Sequence, residues 1–286
     1  MTAGVNFTSD GGTATNPCVS HGTSVASLAA GNTVGVARGA TIVPLRVSRC
    51  DYNQGAVELF AAISALDYVI QQRQTYGRPS VVNMSFFQED PWDDIYECPD
   101  QEGNPGGSCI RHGLEAQVRQ AINAGITVVV SGNNQNQNRC VVQSPARMGY
   151  GNEASYPSTQ RTITVGGTDI NDQRYVCPTC QASDPGSNYG PCISFYAPAH
   201  KIRSADTQST ASYRDHTVEN GSSGTSFAAP LVTGAVARWL EQYPWLTPQD
   251  VWYWLYQTAK NLDSVPDFDS DGIPGNNKLL RIDPYH

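Results

Sequence analysis

The sequence predicts an α/β fold in which a mostly parallel central sheet carries helices on both faces. Three observations predict it. Short β-branched runs recur along the chain, segments with a helical apolar stripe separate them, and 26 Gly and 18 Pro in 286 residues supply many connecting loops. Strands that alternate with helices pair in parallel, because a parallel pair needs a long crossover connection. Apolar residues make up 39% and charged residues 15%, a composition that buries a core rather than staying unfolded.

The elements follow in order. Thr41 to Val47 (TIVPLRV) is the first strand-like run, rich in β-branched residues and followed by a Cys-Asp-Tyr-Asn loop. From Val57 to Tyr76, Leu59, Ile63, Leu66 and Ile70 recur at i, i+4, i+7 and i+11, which is one face of a helix. Ser80 to Met84 (SVVNM) reads as the next buried strand. Leu114, Val118, Ala121 and Ile122 form another stripe, Gly125 stands where that helix would stop, and Thr127 to Val130 is the strand after it. Leu231 to Leu240 is helical. Thr247, Pro248 and Asp250 then supply an N-cap, a first-turn proline and a box-like partner for a last helix. Gln88 to Gly113 and Asn134 to Pro157 interrupt the alternation and read as surface insertions. With no internal repeat and no low-complexity linker, residues 1–286 read as one domain. In such a sheet the ligand site is expected beyond the carboxyl ends of the strands.

Composition also removes whole classes of function. A net charge of -8 without Lys/Arg clusters argues against nucleic acid, whose binding needs a concentrated positive surface. No apolar run reaches the roughly 20 residues of a membrane-spanning helix. Eight cysteines (Cys18, Cys50, Cys98, Cys109, Cys140, Cys177, Cys180 and Cys192) lie beside Gly, Pro, Asn and Asp, which favours disulfides and therefore export. The competing reading is zinc at Cys177-Pro-Thr-Cys180, a single CxxC with no His close by. The opening MTAGVNFTSDGG has neither the basic start nor the apolar stretch of a signal peptide. The expectation is thus a secreted protein whose sequence here is incomplete at the N-terminus.

Three segments join a reactive side chain to small residues. His21-Gly22-Thr23 opens an Ala-rich run, where an imidazole at a helix start faces outward and can exchange protons. Ser131-Gly132-Asn133 follows a strand, so the Asn133 amide stands at a carboxyl end, where it can donate to a developing oxyanion. Gly224-Thr225-Ser226-Phe227-Ala228-Ala229-Pro230 enters a helix, which leaves the Ser226 N–H unused by the helix. Taken singly, each has an ordinary structural reading: a hydrogen-bonded histidine, a turn asparagine, a capping serine.

Their combination and order, with HGT, SGN and GTSxAAP around them, resembles the subtilisin-like serine proteases (peptidase S8) over nearly the whole chain. Asn83-Met84-Ser85 resembles that family's substrate-flanking strand, and Tyr196-Ala197-Pro198 its late hydrophobic strand. The resemblance implies a subtilisin-like three-layer fold, here missing the first strand or strands, and an extracellular endopeptidase acting as a monomer on polypeptides. It implies that Ser226 is the nucleophile, His21 the general base, and Asn133 with the Ser226 N–H the oxyanion hole. Ser85, Phe86, Phe87, Ser131 and Gly132 would border the substrate. The cysteine positions resemble those of aqualysin-type members of the proteinase K branch, which implies Cys18–Cys50 and Cys140–Cys192. Proximity then pairs Cys98 with Cys109 and Cys177 with Cys180.

The sequence also departs from that family. The family's aspartate lies some tens of residues before HGT, whereas only 20 residues precede His21. Asp10, the sole carboxylate among them, sits in a Ser-Asp-Gly-Gly turn setting. A chain with only His and Ser is expected to be weakly active or inactive by itself, since losing the aspartate alone costs about 3 × 10⁴ in kcat. Phe87 stands where the family usually has a small residue. No cofactor is required, and calcium is possible at most. A common calcium-ligating aspartate is replaced by Ser194, and Asp267-Phe-Asp269-Ser-Asp271-Gly272 begins a calcium loop whose twelfth position is Lys278 rather than Glu. The alternative function is a noncatalytic subtilisin-fold fragment that binds polypeptide without cleaving it. An esterase of the α/β-hydrolase type would need GxSxG and Ser before His, and neither is present.

Overall fold

The computed structural model describes residues 2–15, 20–50, 57–89, 112–140, 143–149, 158–177, 185–207, 213–214, 222–262 and 277–281. Its helices are α1 (His21–Ala30), α2 (Leu59–Tyr76), α3 (His112–Asn123), α4 (Thr225–Gln242) and α5 (Pro248–Thr258). Its strands are β1 (Val5–Asn6), β2 (Leu45–Arg46), β3 (Val81–Met84), β4 (Gln88–Glu89), β5 (Thr127–Ser131), β6 (Gln143–Ser144), β7 (Ile163–Thr168), β8 (Phe195–Pro198), β9 (Ser204–Ala205), β10 (Tyr213–Arg214), β11 (Lys260–Asn261) and β12 (Lys278–Leu279).

A six-stranded sheet runs in the order β11-β12-β8-β7-β5-β3 and is parallel except for the β11/β12 pair. The apolar run of β5 shows why the sheet is covered on both faces. Val128 and Val130 pack with Met84 against Ala62, Leu66 and Ile70 of α2 and Leu114, Val118 and Ile122 of α3. Val129, pointing the other way, packs with Ile163, Val165 and Phe195 against Ala228, Val232 and Val236 of α4 and Val251 and Leu255 of α5. Successive residues of a strand face opposite sides, so a continuous Val run requires two apolar partners. The helices expected around residues 57–76 and 114–122 are the ones that supply one of them. No helix among the described residues is long and apolar enough to cross a membrane.

The TIVPLRV run differs from its expectation. Only Leu45–Arg46 is regular strand, and it pairs in parallel with β1 rather than with the large sheet. Backbone hydrogen bonds from Thr2, Val5 and Phe7 to the carbonyls of Ile42, Pro44 and Arg46 continue the contact, but Pro44 has no N–H to return one. Between β2 and β3 lies an apolar cleft floored by Ala62, Ala65, Leu66 and Val69 of α2 and bordered by Leu45, Val47, Val82, Met84 and Phe86. The sheet is therefore divided at this position.

Candidate active site

Ser226 is placed by the start of α4. Gly224, the N-cap, has φ +121° and no side chain with which to cap the helix. A Cβ there would lie 2.8 Å from Asn134 Nδ2, so only glycine fits. Asn134, remote in sequence, does the capping: its Oδ1 accepts from the Thr225 N–H at 2.8 Å and the Thr225 hydroxyl at 3.0 Å. The Phe227 N–H turns back to the Gly224 carbonyl at 3.0 Å. Among the described residues the Ser226 N–H has no hydrogen-bond partner.

The Ser226 carbonyl is held by an exchange that the sequence makes necessary. Pro230 lies inside α4 and lacks the N–H that would bond the carbonyl four residues earlier, which belongs to Ser226. Ser85, just beyond β3, donates its hydroxyl to that carbonyl at 2.8 Å. Asn83 Nδ2 donates to the Ser85 hydroxyl at 2.9 Å, and the Thr233 hydroxyl of α4 donates to Asn83 Oδ1 at 3.0 Å. The Ser226 hydroxyl in turn reaches the Ser85 carbonyl at 3.4 Å, a long contact that is easily given up.

His21 is the first residue of α1 and is exposed, and its ring meets the edge of Phe227 with centroids 5.6 Å apart. Further along, Ala29 O lies 2.7 Å from where a Cβ on Gly234 would stand. These two contacts mean that α1 and α4 run side by side in the same direction. Both helix N-termini, with their positive ends, therefore stand at one rim. The α1 helix is also tied to β9: Ser24 donates its hydroxyl to the Ala205 carbonyl at 2.8 Å, and the Ala205 N–H donates to the Ser27 hydroxyl at 3.0 Å.

Asn133 follows β5 with φ +69°, a left-handed conformation that asparagine tolerates better than most residues. It is buried, and its Nδ2 donates to Gln143 Oε1 at 3.0 Å. Gly132 is closely packed, since a Cβ would meet Ile193 Cδ1 at 2.6 Å and the Val165 carbonyl at 3.0 Å. Ser131 is buried within β5, and its side chain lies in the interior. Met84 is in register with Val130, which sets the ends of β3 and β5 side by side. Phe86 packs against the cluster of α2, α3, β3 and β5 and lines the cleft, whereas Phe87 is half-exposed.

Asp10 sits in a turn and is committed elsewhere. It accepts from the Cys50 N–H at 2.9 Å, the Thr8 hydroxyl at 2.7 Å and the Gly12 N–H at 3.4 Å, and pairs with the buried Arg46 guanidinium. The Cys50 N–H, then the Thr8 hydroxyl, the Gly12 N–H and the Arg46 charge hold its carboxyl well below the usual carboxylate range. Ser194 is buried and fully engaged, accepting from the Thr164 N–H at 3.2 Å and donating to the Thr162 carbonyl at 3.4 Å. A neutral hydroxyl spent in this way does not fit a calcium ligand. Among the described residues no group of three or more His, Cys, Asp or Glu could hold a metal, and the Asp267 to Asp271 loop lies outside them.

Cys140 and Cys192 form a disulfide with Cα atoms 5.3 Å apart. Cys50 and Cys177 are each held in a disulfide with a cysteine outside the described residues, so Cys177 is not a zinc thiolate. Cys18, Cys98, Cys109 and Cys180 lie outside the described residues, and with them the pairings expected for those four.

Sequence reasoning missed Asn134, Gln143 and Asn188. An Asn/Gln-rich run from Asn133 to Asn138 is visible in the sequence, but which amide meets which partner depends on how distant loops align. Gln143 carries no local signal at all.

The model of the subtilase family matches residues 4–276. The extracellular serine proteinase of Thermus sp. (strain Rt41A) is 36% identical over 248 residues, 87% of this chain and 47% of that protein. Alkaline serine exoprotease A of Vibrio alginolyticus is 29% identical over 234 residues, 82% of this chain and 34% of that protein. A crystal structure of a cold-adapted subtilisin-like serine proteinase aligns with a TM-score of 0.66 at 29% identity, covering 93% of this chain and 76% of that one. The chain spans about half or less of the length of these curated relatives. Its matched span, its parallel sheet between helical layers and its serine at the head of α4 agree: the chain belongs to the subtilase family.

Proposed function

We propose that residues 1–286 form a catalytic domain of an extracellular serine endopeptidase that acts as a monomer on polypeptides. Ser226 Oγ attacks the scissile carbonyl carbon and His21 takes the hydroxyl proton. The carbonyl π electrons move to the oxygen, which accepts from the Ser226 N–H and Asn133 Nδ2. His21 then returns the proton to the departing amine as the C–N bond breaks, and water releases the acyl group. Substrate lies along the ends of β3 and β5, bordered by Ser85, Phe87 and the backbone of Ser131 and Gly132. No step uses a metal.

The observation that carries this reading is the Ser226 N–H at the head of α4, unpartnered among the described residues, beside a hydroxyl that among them meets only a 3.4 Å contact, and a helix that brings His21 against Phe227. The noncatalytic reading draws support from Asp10, whose carboxylate is spent on Cys50, Thr8 and Arg46. A serine-directed fluorophosphonate separates the two. The expected result is one slowly formed adduct by intact mass, as suits a weakly active chain, absent from Ser226→Ala and slower still in His21→Ala. A folded chain that never labels would overturn the endopeptidase reading and leave a polypeptide-binding fragment.

A further inference from the structure

We propose that Gln143 is a positioning residue that fixes which way the Asn133 amide points, through hydrogen bonds whose direction is dictated by a backbone N–H at Gln137. The proposal rests on the reading of Asn133 as an oxyanion donor. A side-chain amide has a donor end and an acceptor end of nearly equal shape, so only its partners decide its rotation. For a donor that must face one point, that rotation is the difference between attraction and repulsion of negative charge.

The direction begins at an atom that cannot turn round. The Gln137 backbone N–H can only donate, and it does so to Asn188 Oδ1 at 3.1 Å. Asn188 must then present its nitrogen on the other side, where Nδ2 donates to Gln135 Oε1 at 2.8 Å and Gln143 Oε1 at 2.9 Å. Gln143 Nε2 donates to Gln135 Oε1 at 3.0 Å, which pins its opposite end. Gln143 Oε1 therefore faces Asn133 and accepts its Nδ2 at 3.0 Å. Turning any of these amides would set two NH₂ groups or two oxygens against each other. Gln143, Asn188 and Asn133 are 1%, 2% and 3% exposed, so water does not replace a lost partner and the mismatch is felt in full. One Asn133 proton is spent on Gln143, and the amide is left with its other proton for a ligand.

The backbone holds the same arrangement. The Asn188 N–H donates to the Asn133 carbonyl at 2.8 Å, and the Asn136 N–H to the Gly186 carbonyl at 2.9 Å. Gln143 itself is on β6, paired with β4 just past the Ser85 to Phe87 segment. The amide direction is thus built into loops that flank the site.

The test compares Asn133→Ala, Gln143→Leu, their double variant and Gln143→Glu, reading the fluorophosphonate labelling rate, the melting temperature and the side-chain NH₂ resonances of Asn133. Losing one oxyanion donor costs about 10²- to 10³-fold. Gln143→Leu, which keeps bulk but offers no acceptor, should lower labelling by about tenfold or more through Asn133. The double variant should be no slower than Asn133→Ala, because both act through one group. Gln143→Glu keeps an oxygen toward Asn133 and Asn188 and should recover to within about threefold of the parent, with half-exposed Gln135 swinging its amide out to water, away from the second carboxylate oxygen. The Asn133 NH₂ pair should shift and sharpen toward free rotation in Gln143→Leu and stay restrained in Gln143→Glu. Independent, multiplying losses in the double variant, or an Asn133 NH₂ pair unmoved by Gln143→Leu, would overturn the proposal. A parent chain that never labels removes the endopeptidase reading instead, and the amide resonances still decide the role of Gln143. If Gln143→Leu does not fold, the Gln143→Glu spectrum decides it, loss of restraint being the overturning result.

Discussion

Ser85 and Pro230 are a matched pair of residues. Proline removes a helix donor, and the Ser85 hydroxyl replaces it at 2.8 Å on the Ser226 carbonyl. Ser85→Ala should cost about 1–3 kcal/mol, because a buried carbonyl loses its partner. In a Pro230→Ala background the restored N–H bonds that carbonyl, and the same Ser85→Ala change should cost under about 1 kcal/mol. Denaturant midpoints of the four proteins check the pairing, and equal costs in both backgrounds would refute it. Asp10 gives a second prediction, whose sign follows from its depressed carboxyl. The unfolded carboxyl takes a proton near pH 4, before the folded one does. Its contribution is thus complete above that value and drains away as pH falls through the folded value. Melting temperatures from pH 6 to pH 2 should fall less steeply for Asp10→Asn than for the parent. His21, Asn133 and Ser226 were legible in the sequence as candidates because each sits in a short motif whose small neighbours have local causes. Gln143, Asn134 and the role of Ser85 toward Pro230 were not, since each acts on a residue tens of positions away whose approach only the folded loops decide.

At the level of elements, α4 and α5 solve one problem in opposite ways. The α5 helix carries its own cap: Thr247 Oγ1 accepts from the Asp250 N–H at 3.2 Å, and Asp250 Oδ2 accepts from the Thr247 N–H at 2.9 Å. That box is written within four residues, and the sequence showed it. Thr247→Ala should cost about 1 kcal/mol, read as a lower melting temperature with labelling of Ser226 unchanged. The α4 helix has no cap side chain of its own and borrows Asn134, which leaves the Ser226 N–H without a partner among the described residues. No pattern in GTSFAAP discloses the lender. The strand at Thr41 to Val47 fails as a sequence reading for a related reason. Its β-branched content is real, but regular pairing depends on its neighbour, and β1 offers only Val5–Asn6 opposite a run broken by Pro44. The Val run of β5 was read correctly because both faces of that strand are covered, so its composition reports its surroundings directly.

Across the whole molecule, the loop after β5 and the turn before β8 are joined covalently by Cys140–Cys192, 52 residues apart. Closing a loop of that length in the unfolded chain contributes about 4 kcal/mol in the chain-entropy account. The bond also lies beside the paired loops around Asn133 and Asn188, where Cys140 and Cys192 are 6% and 4% exposed. Burial predicts that a reductant reaches it only when those loops open, so stability and local order should be lost together. The double change Cys140→Ala with Cys192→Ala should lower the unfolding free energy by about 2–5 kcal/mol. Most of that loss belongs to the unfolded state, which becomes freer, so the native contacts around Asn133 should survive at low temperature. Denaturant unfolding measures the first effect, and hydrogen exchange at the Gln137 and Asn188 backbone amides measures the second. A large loss of stability with those amides still protected under native conditions is the expected result. Amides that exchange freely in a still-folded variant would show instead that the bond holds the rim in place directly, and the entropic account would fail for this disulfide.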